Sequence, residues 1–453
     1  MVTIFSLCSC SKFVKVPDPT TQIVRSAVFS DDATATAAIL GIYSSMMQDY
    51  TMASVYTSLF AGLSADELTG YSNDPNLGQF YDNAIIPSNP YISGYWGNLY
   101  QYIYGANSVL EGLDNNSLIS APVKQQLIGE AKFIRAFSYF YLTNLFGDVP
   151  LILSTDYKKN AVAFRTPRNQ IFEQIIADLT DARNNLIDQY LNADNTPMQT
   201  RVRPNKWAAS ALLARTYLFD GDWNNAIKFS TEVINQTETY QLSYNLDSTF
   251  LTSSPEAIWQ LTPVDPLNTN YEAFVYILTD APAGLFGVSL SNNLVNEFEP
   301  GDQRRLHWVD SIEVTGIKYY YAYKYKLASS PVPVEYYTIL RLSEQYLIRS
   351  EARARAGDLA GATNDLNMVR NKAGLTALGI SDLTPFLDAI QKERRFEFFS
   401  EWGHRWLDLK RTGKADSVLS TVKSPGWQAS DTLYPIPQSE IQNDPNLTQN
   451  PNY

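Results

Sequence analysis

The chain predicts a mainly α protein: a scaffold of helix pairs interrupted by a large insertion rich in loops and short strands. Three observations carry this reading. Long segments repeat apolar residues at helical spacing, as at Ile171, Ile175, Leu179 and Leu186. Two Ala/Leu-rich segments, AASALLARTYLFDGDWNNAI and EQYLIRSEARARAGDLAGAT, share one turn pattern, Gly221-Asp222 before Ala226 and Gly357-Asp358 before Ala362. Between them, from about residue 240 to 337, the helical period fades and Pro, Asn, Ser and aromatic residues take over.

Taken in order, residues 1–10 look like the end of a bacterial lipoprotein signal. Leu7-Cys8-Ser9-Cys10 forms the lipobox and Cys10 is the residue to be acylated. The apolar run before it is too short to span a bilayer and lacks a basic leader, which implies a late start site or a truncated record. Residues 11–36, with Pro17, Asp18 and Pro19, read as a tether. A helix follows over 37–50, where Ile39, Ile42, Tyr43 and Met46 recur at helical spacing. Residues 62–93 are punctuated by Gly62, Gly70, Asn73-Asp74-Pro75, Gly78, Pro87 and Pro90, and read as a loop region carrying aromatic residues. Trp96, Leu99, Ile103, Asn107 and Leu110 mark the next helix face. Residues 124–146 predict a strong helix stopped by Gly147 and Pro150, and Thr166-Pro167 opens another.

The two Gly-Asp segments look like tetratricopeptide-type helix pairs, in which small residues allow close approach and glycine makes the turn. They lie too far apart for a tandem solenoid, so the scaffold spans 37–239 and 338–423 around the 240–337 insertion, and 424–453 is an extended tail. Within the insertion, Lys318–Lys326 alternates enough for a strand.

Composition narrows function by exclusion. With 35 basic and 47 acidic residues the net charge is −12, which argues against nucleic acid or an anionic membrane surface as main partner. The basic, Tyr-rich 318–326 island does not reverse that. Both cysteines lie in the first ten residues, so there is neither a disulfide framework nor a Cys zinc site. Phosphate loop, nucleophile elbow, dinucleotide fingerprint and His-based metal motif are all missing. No cofactor and no catalytic or metal residue is called for; a structural calcium ion in a loop stays open. A glycosidase needs only two spaced carboxylates, and 47 acids leave that open.

The most chemically loaded run is Lys392–Gly413, KERRFEFFSEWGHRWLDLKRTG. Thr384 reads as helix cap with Pro385 in the first position, and Leu387, Ile390, Arg394, Glu397 and Glu401 then share a face. Arg394, Arg395, Arg405 and Arg411 are the expected partners of Glu393, Glu397, Glu401 and Asp408. Glu401 and His404 fit a Glu-x-x-His metal motif, but such sites use it twice and His307 has no equivalent glutamate. Gly403 reads as the helix stop. The run is therefore architecture, a buried clasp joining the last long helix to the tail.

Glu393, Arg394, Arg395, Glu397, Glu401, His404, Arg405, Trp406, Asp408, Arg411 and Gly413, followed by LYPIPQSEIQNDPNLTQNPNY, resemble the C-terminal signature of the SusD/RagB family. Trp402 adds one residue to the tightest form of that pattern. Trp96, Tyr100, Ile103, Ala106 and Asn107 are similar to another family helix, as are Glu130, Phe133, Arg135, Phe137 and Tyr141. The resemblance implies a lipid-anchored outer-membrane protein facing the cell exterior. It would bind an oligosaccharide and deliver it to a SusC-type TonB-dependent transporter, without catalysis. Ser11-Lys12-Phe13 stands where exported members usually carry acidic residues. A peptide-binding, RagB-like protein and a pure scaffold for the transporter are the alternatives.

A pyranose offers a C–H face that stacks on an aromatic ring and hydroxyls that need amides or carboxylates at the rim. Loops are where such groups are presented. Tyr71, Asn73, Asp74 and Tyr81 in the first loop region, and Tyr271, Glu272, Phe274 and Asn292 in the insertion, are the candidate ligand-binding residues.

Overall fold

The computed structural model describes residues 25–265, 267, 269–423 and 425–453. Cys8, Cys10 and residues 11–24 lie outside the described residues. Helix α1, Asp32–Met46, starts where the Asp31 carboxylate accepts the Thr34 N–H at 2.8 Å. That corrects the tether: its described end, 25–36, holds a short helix, Arg25–Val28, and the first turn of α1. Ser30 and Asp31, which composition reads as linker, are cap chemistry. α1 also stops short of residue 50, and Tyr50 takes a left-handed φ of 52°.

The 62–93 region is more ordered than its punctuation suggests. Helix α2 spans Thr57–Ser64, strand β1 Leu68–Gly70, helix α3 Pro75–Tyr81 and helix α4 Pro90–Leu113. Asp74-Pro75 and Asn89-Pro90, which resemble turns, are helix starts. Each Asx side chain accepts a first-turn N–H, and the proline stands where its missing donor costs nothing.

Helix α5, Ala121–Phe146, is buried along most of its length from Gln126 onward, and ends at Gly147 with φ 77°. α6 spans Arg168–Asn185, α7 Lys206–Asp220 and α8 Trp223–Ile234. Each helix packs on the next, α4 on α5 and so on to α8, and α8 packs on α11, Leu342–Arg355, whose partner α12 is Leu359–Lys372. (α9, Tyr271–Tyr276, and α10, Asn292–Asn296, belong to the insertion.) The two Gly-Asp turns thus belong to neighbouring helix pairs and use one device. Gly221 and Gly357 take φ of 82° and 94°, which L side chains resist. Asp222 and Asp358 then cap the following helix, and Ala226 and Ala362 are fully buried where the helices close on each other.

The insertion leaves and returns at one place. β2, Ala257–Leu261, pairs antiparallel with β6, Tyr337–Arg341, Leu261 facing Tyr337, and every residue of both strands is buried. Between them lie helix α9, Tyr271–Tyr276; strand β3, Val288–Leu290; helix α10, Asn292–Asn296; and the hairpin β4, Val309–Val314, with β5, Ile317–Ala322. Thr315 and Gly316, φ 51° and 81°, make the two-residue turn of that hairpin.

The Lys392–Gly413 run departs from expectation in three ways. Helix α13 is Leu383–Phe398, so Thr384 lies inside it and Asp382 holds the cap position. The helix stops at Phe398, not Gly403. Ser400, Trp402 and Gly403, φ 53°, 46° and 69°, form a left-handed corner that leads into α14, His404–Arg411, and carries Glu401 off the helix face.

Third, the local arginines are not the partners of the glutamates. Glu393 meets Arg304 and Arg370, Glu397 meets Arg341, Arg304 and Lys372, and Glu401 meets Arg341 and Lys324. Only Asp408 takes Arg394 and Arg411 from the same run, while Arg395 and Arg405 turn to Asp66. Glu393, Glu397 and Glu401 thus each meet cations delivered by other elements. The clasp joins α13 to the insertion and to the second helix pair. The tail is held differently: Tyr434 lies nearly parallel to Trp406, centroids 6.1 Å apart, and Asn450 donates to the carbonyls of Phe146 and Tyr434.

Candidate functional site

β1 and β3 pair antiparallel, Leu68 against Leu290 and Gly70 against Val288, and this ladder joins the first loop region to the insertion. It continues past the strands. The Tyr71 N–H donates to the Gly287 carbonyl at 2.8 Å, the Ser72 hydroxyl to Leu285 at 2.6 Å and the Asn73 N–H to Gly284 at 3.2 Å. Gly287 is required for the tight 281–287 turn, because a Cβ there would meet Ala283 backbone atoms at 2.8–2.9 Å.

Aromatic rings gather on this seam. Tyr50 lies 4.9 Å from both Tyr271 and Phe286, centroid to centroid, and Tyr71 stands edge-on to Tyr319 of β5 at 5.7 Å. Tyr71 is 42% exposed and Phe274 55%, enough to offer a ring face to a ligand. A cleft of about 370 Å³ runs between Tyr50, Phe274, Ile277, Asp280, Leu285 and Phe286. A smaller opening of about 220 Å³ lies between Ser72, Gly78, Tyr81 and Gly287, so the two meet at Gly287. Ring faces beside the Asp280 carboxylate and Thr279 suit a hydroxyl-rich ligand with apolar faces.

The structure brings five of the candidate residues to this seam and leaves three aside. Tyr71 and Asn73 are exposed on it. Tyr81 is half-buried, its ring 3.9 Å below the Lys423 ammonium. Tyr271 is buried behind Tyr50, its hydroxyl bonded to Asp49, and Phe274 is exposed.

Asp74 is spent as the α3 cap, accepting the Asn76 N–H at 2.9 Å and the Tyr91 hydroxyl at 2.6 Å. Burial pushes its pKa up, but those bonds outweigh it and hold the carboxyl below its usual range. Glu272 turns inward and accepts the Ser58 hydroxyl at 2.6 Å; burial raises its pKa to about 8. Asn292 follows Ser291, whose N–H bonds Glu67 at the opposite end of the ladder from Tyr71. Sequence reasoning passed over Tyr50, Leu285, Phe286 and Tyr319. For Leu285 and Phe286 a signal existed: apolar residues set inside the turn-forming APAGLFG segment.

Elsewhere, His404 is buried against Phe398 at 4.6 Å, and burial with the nearby cations holds its pKa well below the usual value. Among the described residues no cluster of three His, Cys, Asp or Glu is placed to hold a metal ion, and no helix is long and apolar enough to cross a membrane.

With this geometry in place, comparison with known proteins is decisive. A family model described as starch-binding and associating with the outer membrane matches residues 22–218, and the SusD family model matches 334–453. The chain belongs to the SusD/RagB family. Its SusD-like relatives include protein P25 of Formosa agariphila, 25% identical over 98% of this chain and 96% of the relative. A SusD superfamily structure from Bacteroides vulgatus has the same fold, TM-score 0.81 at 20% identity, covering 94% of this chain and all of that one. A laminarin-binding SusD-like protein superposes with TM-score 0.76 at 26% identity, covering 92% of this chain and 99% of that one. SusD-family proteins are starch- or glycan-binding proteins associated with the outer membrane. The two family matches leave 219–333 between them, and that interval holds Tyr271, Phe274, Phe286 and Tyr319.

Proposed function

We propose that the protein captures an oligosaccharide at the outer membrane and passes it to a SusC-type TonB-dependent transporter. The sugar stacks on the Tyr71–Phe274–Phe286 face, and Asn73, Asp280 and Thr279 bond its hydroxyls. Acylation at Cys10 anchors the chain with this face to the exterior. The observation that carries the reading is the β1–β3 ladder, which sets two loop segments edge to edge and leaves exposed rings along the seam. Membership in a glycan-binding family and likeness to a laminarin-binding protein support the ligand class.

Calorimetry against laminarin, starch, other oligosaccharides and a peptide panel tests it. Saturable glycan binding that weakens in Phe274→Ala supports the reading. Peptide binding with no glycan binding would replace it with the RagB-like alternative, and release of reducing sugar would overturn a pure binding role. Co-purification with the transporter and labelling with a radioactive fatty acid, lost in Cys10→Ala, test the partner and the anchor.

A further inference from the structure

The C-terminal end of α5 opens on a cleft of about 580 Å³, roofed by Leu433 and Pro451 of the tail and far in sequence from the aromatic seam. Its walls carry Arg165, Arg168, Lys410 and Arg411, a concentration of cations in a chain of net charge −12.

Elsewhere the fully buried cations meet carboxylates, Arg203 with Glu130, Arg215 with Glu344 and Arg341 with Glu397, while the partly buried Arg201 and Lys423 stand singly and donate to backbone carbonyls. Arg411 follows that rule, bound to Glu351 at 2.6 Å and Asp408 at 2.7 Å. Among the described residues, its three neighbours have no ion-paired carboxylate. Lys410 donates to the Asn144 carbonyl, and burial, then the Arg168 charge, push its pKa down to about 7. Arg165 donates to the carbonyls of Asp148 at 2.7 Å and Thr448 at 3.0 Å and to the Asn450 side chain. Arg168 lies 4.0 Å over the Phe172 ring and reaches the Phe219 carbonyl at 3.3 Å. The acids that act on these arginines, Asp148 and Asp220, are both exposed to water.

The simplest account is that these cations cap the end of α5. A helix C-terminus carries roughly half a negative charge. The two arginines face only that half-charge and two carboxylates screened by water, and protonating the half-buried Lys410 amine beside them is costly. A ligand bringing the missing negative charge removes that cost, and the guanidinium fork is shaped for planar oxygen pairs. We propose that this cleft binds an oxyanion, the carboxylate or sulfate group of a small ligand or of an acidic sugar.

Thermal melting and calorimetry of the full chain at pH 7.5 and low ionic strength, with sodium sulfate, sodium glucuronate and ionically matched sodium chloride, test this. Sulfate or glucuronate should raise the melting temperature and give a saturable heat that varies with buffer, because Lys410 takes up a proton; chloride should not. A response to sulfate assigns the site to an inorganic anion, and one to glucuronate alone to an acidic sugar. Lys410→Met should bind at least tenfold more weakly while melting no lower without anion, and Arg168→Gln should also weaken binding. Tyr71→Ala should leave the anion response intact, which separates this site from the aromatic seam. No response beyond chloride, or undiminished binding in both Lys410→Met and Arg168→Gln, overturns the proposal.

Discussion

Arg341 at the end of β6 grips Glu397 near the end of α13: Nη1 donates to Oε1 at 2.5 Å and Nη2 to the Glu397 carbonyl at 2.8 Å. Both groups are buried, 56 residues apart in sequence. Arg341 also holds Glu401 and Glu256, and Lys372 and Arg304 close on Glu397 from other elements. One guanidinium therefore ties the return strand of the insertion to the last long helix.

Glu397→Ala leaves three cations facing an empty space. Breaking a buried ion pair from one side costs ~3–5 kcal/mol. Urea denaturation should show a loss of that size with an unchanged m-value, while the folded fraction binds glycan as before.

Stability should fall at both ends of the pH range, for opposite reasons. Burial pushes Glu351 up, but Arg411, Arg394 and Arg355 outweigh it and lower the pKa from 4.5 to about 2. Its contribution, ~3 kcal/mol at about 1.4 kcal/mol per pKa unit, is complete above pH 4.5 and lost as pH falls toward 2. Glu272 is raised instead, by burial, to about 8, so its neutral form favours folding below pH 4.5 and stability declines between pH 4.5 and 8. Glu272→Gln should therefore match the wild type near pH 4 and exceed it by ~5 kcal/mol at pH 8.5, measured by urea titration at each pH.

Gly403 and Gly413 have nearly the same backbone, φ 69° and 68°, but different surroundings. A Cβ at Gly403 would lie 2.7 Å from the Ala61 Cβ of α2, whereas one at Gly413 meets nothing within 4 Å. Gly413→Ala should cost ~1 kcal/mol in strain, and Gly403→Ala ~2–4 kcal/mol, in strain plus overpacking. Equal losses of melting temperature would show that the α2–α14 crossing yields.

Tyr71→Ala and Phe274→Ala remove exposed rings, so stability should change by less than ~0.5 kcal/mol. Glycan affinity should fall roughly five- to tenfold in each, about 1 kcal/mol of stacking, read by calorimetry. Asp74→Ala should do the reverse: it removes a helix cap worth ~1 kcal/mol and leaves affinity nearly unchanged.

Local chemistry was legible where one short segment decides the outcome. Gly221-Asp222 and Gly357-Asp358 announce their turns, because a left-handed glycine and a capping aspartate need nothing beyond their neighbours. The same locality misled at Asp74-Pro75, where an identical residue pair serves a loop or a helix start. Among the candidate ligand residues, the exposure of the Tyr71 and Phe274 rings was legible from their place in punctuated segments. Glu272 was not, since which side of α9 faces the interior depends on Ser58, far away in the chain.

By itself the sequence determined a mainly α protein with two like helix pairs, an insertion between them, and a C-terminal signature that belongs to the SusD/RagB family. Those properties are written in periodicity, turn residues and motif spacing, all read within a few tens of residues. Tertiary structure alone decided that Glu393, Glu397 and Glu401 pair with cations of the insertion and the second helix pair. It alone laid Tyr71 beside Gly287, and it alone left Lys410 without a carboxylate partner among the described residues. Ion pairs and strand ladders join positions 50 to more than 200 residues apart, and no local pattern specifies which distant charge or edge will arrive.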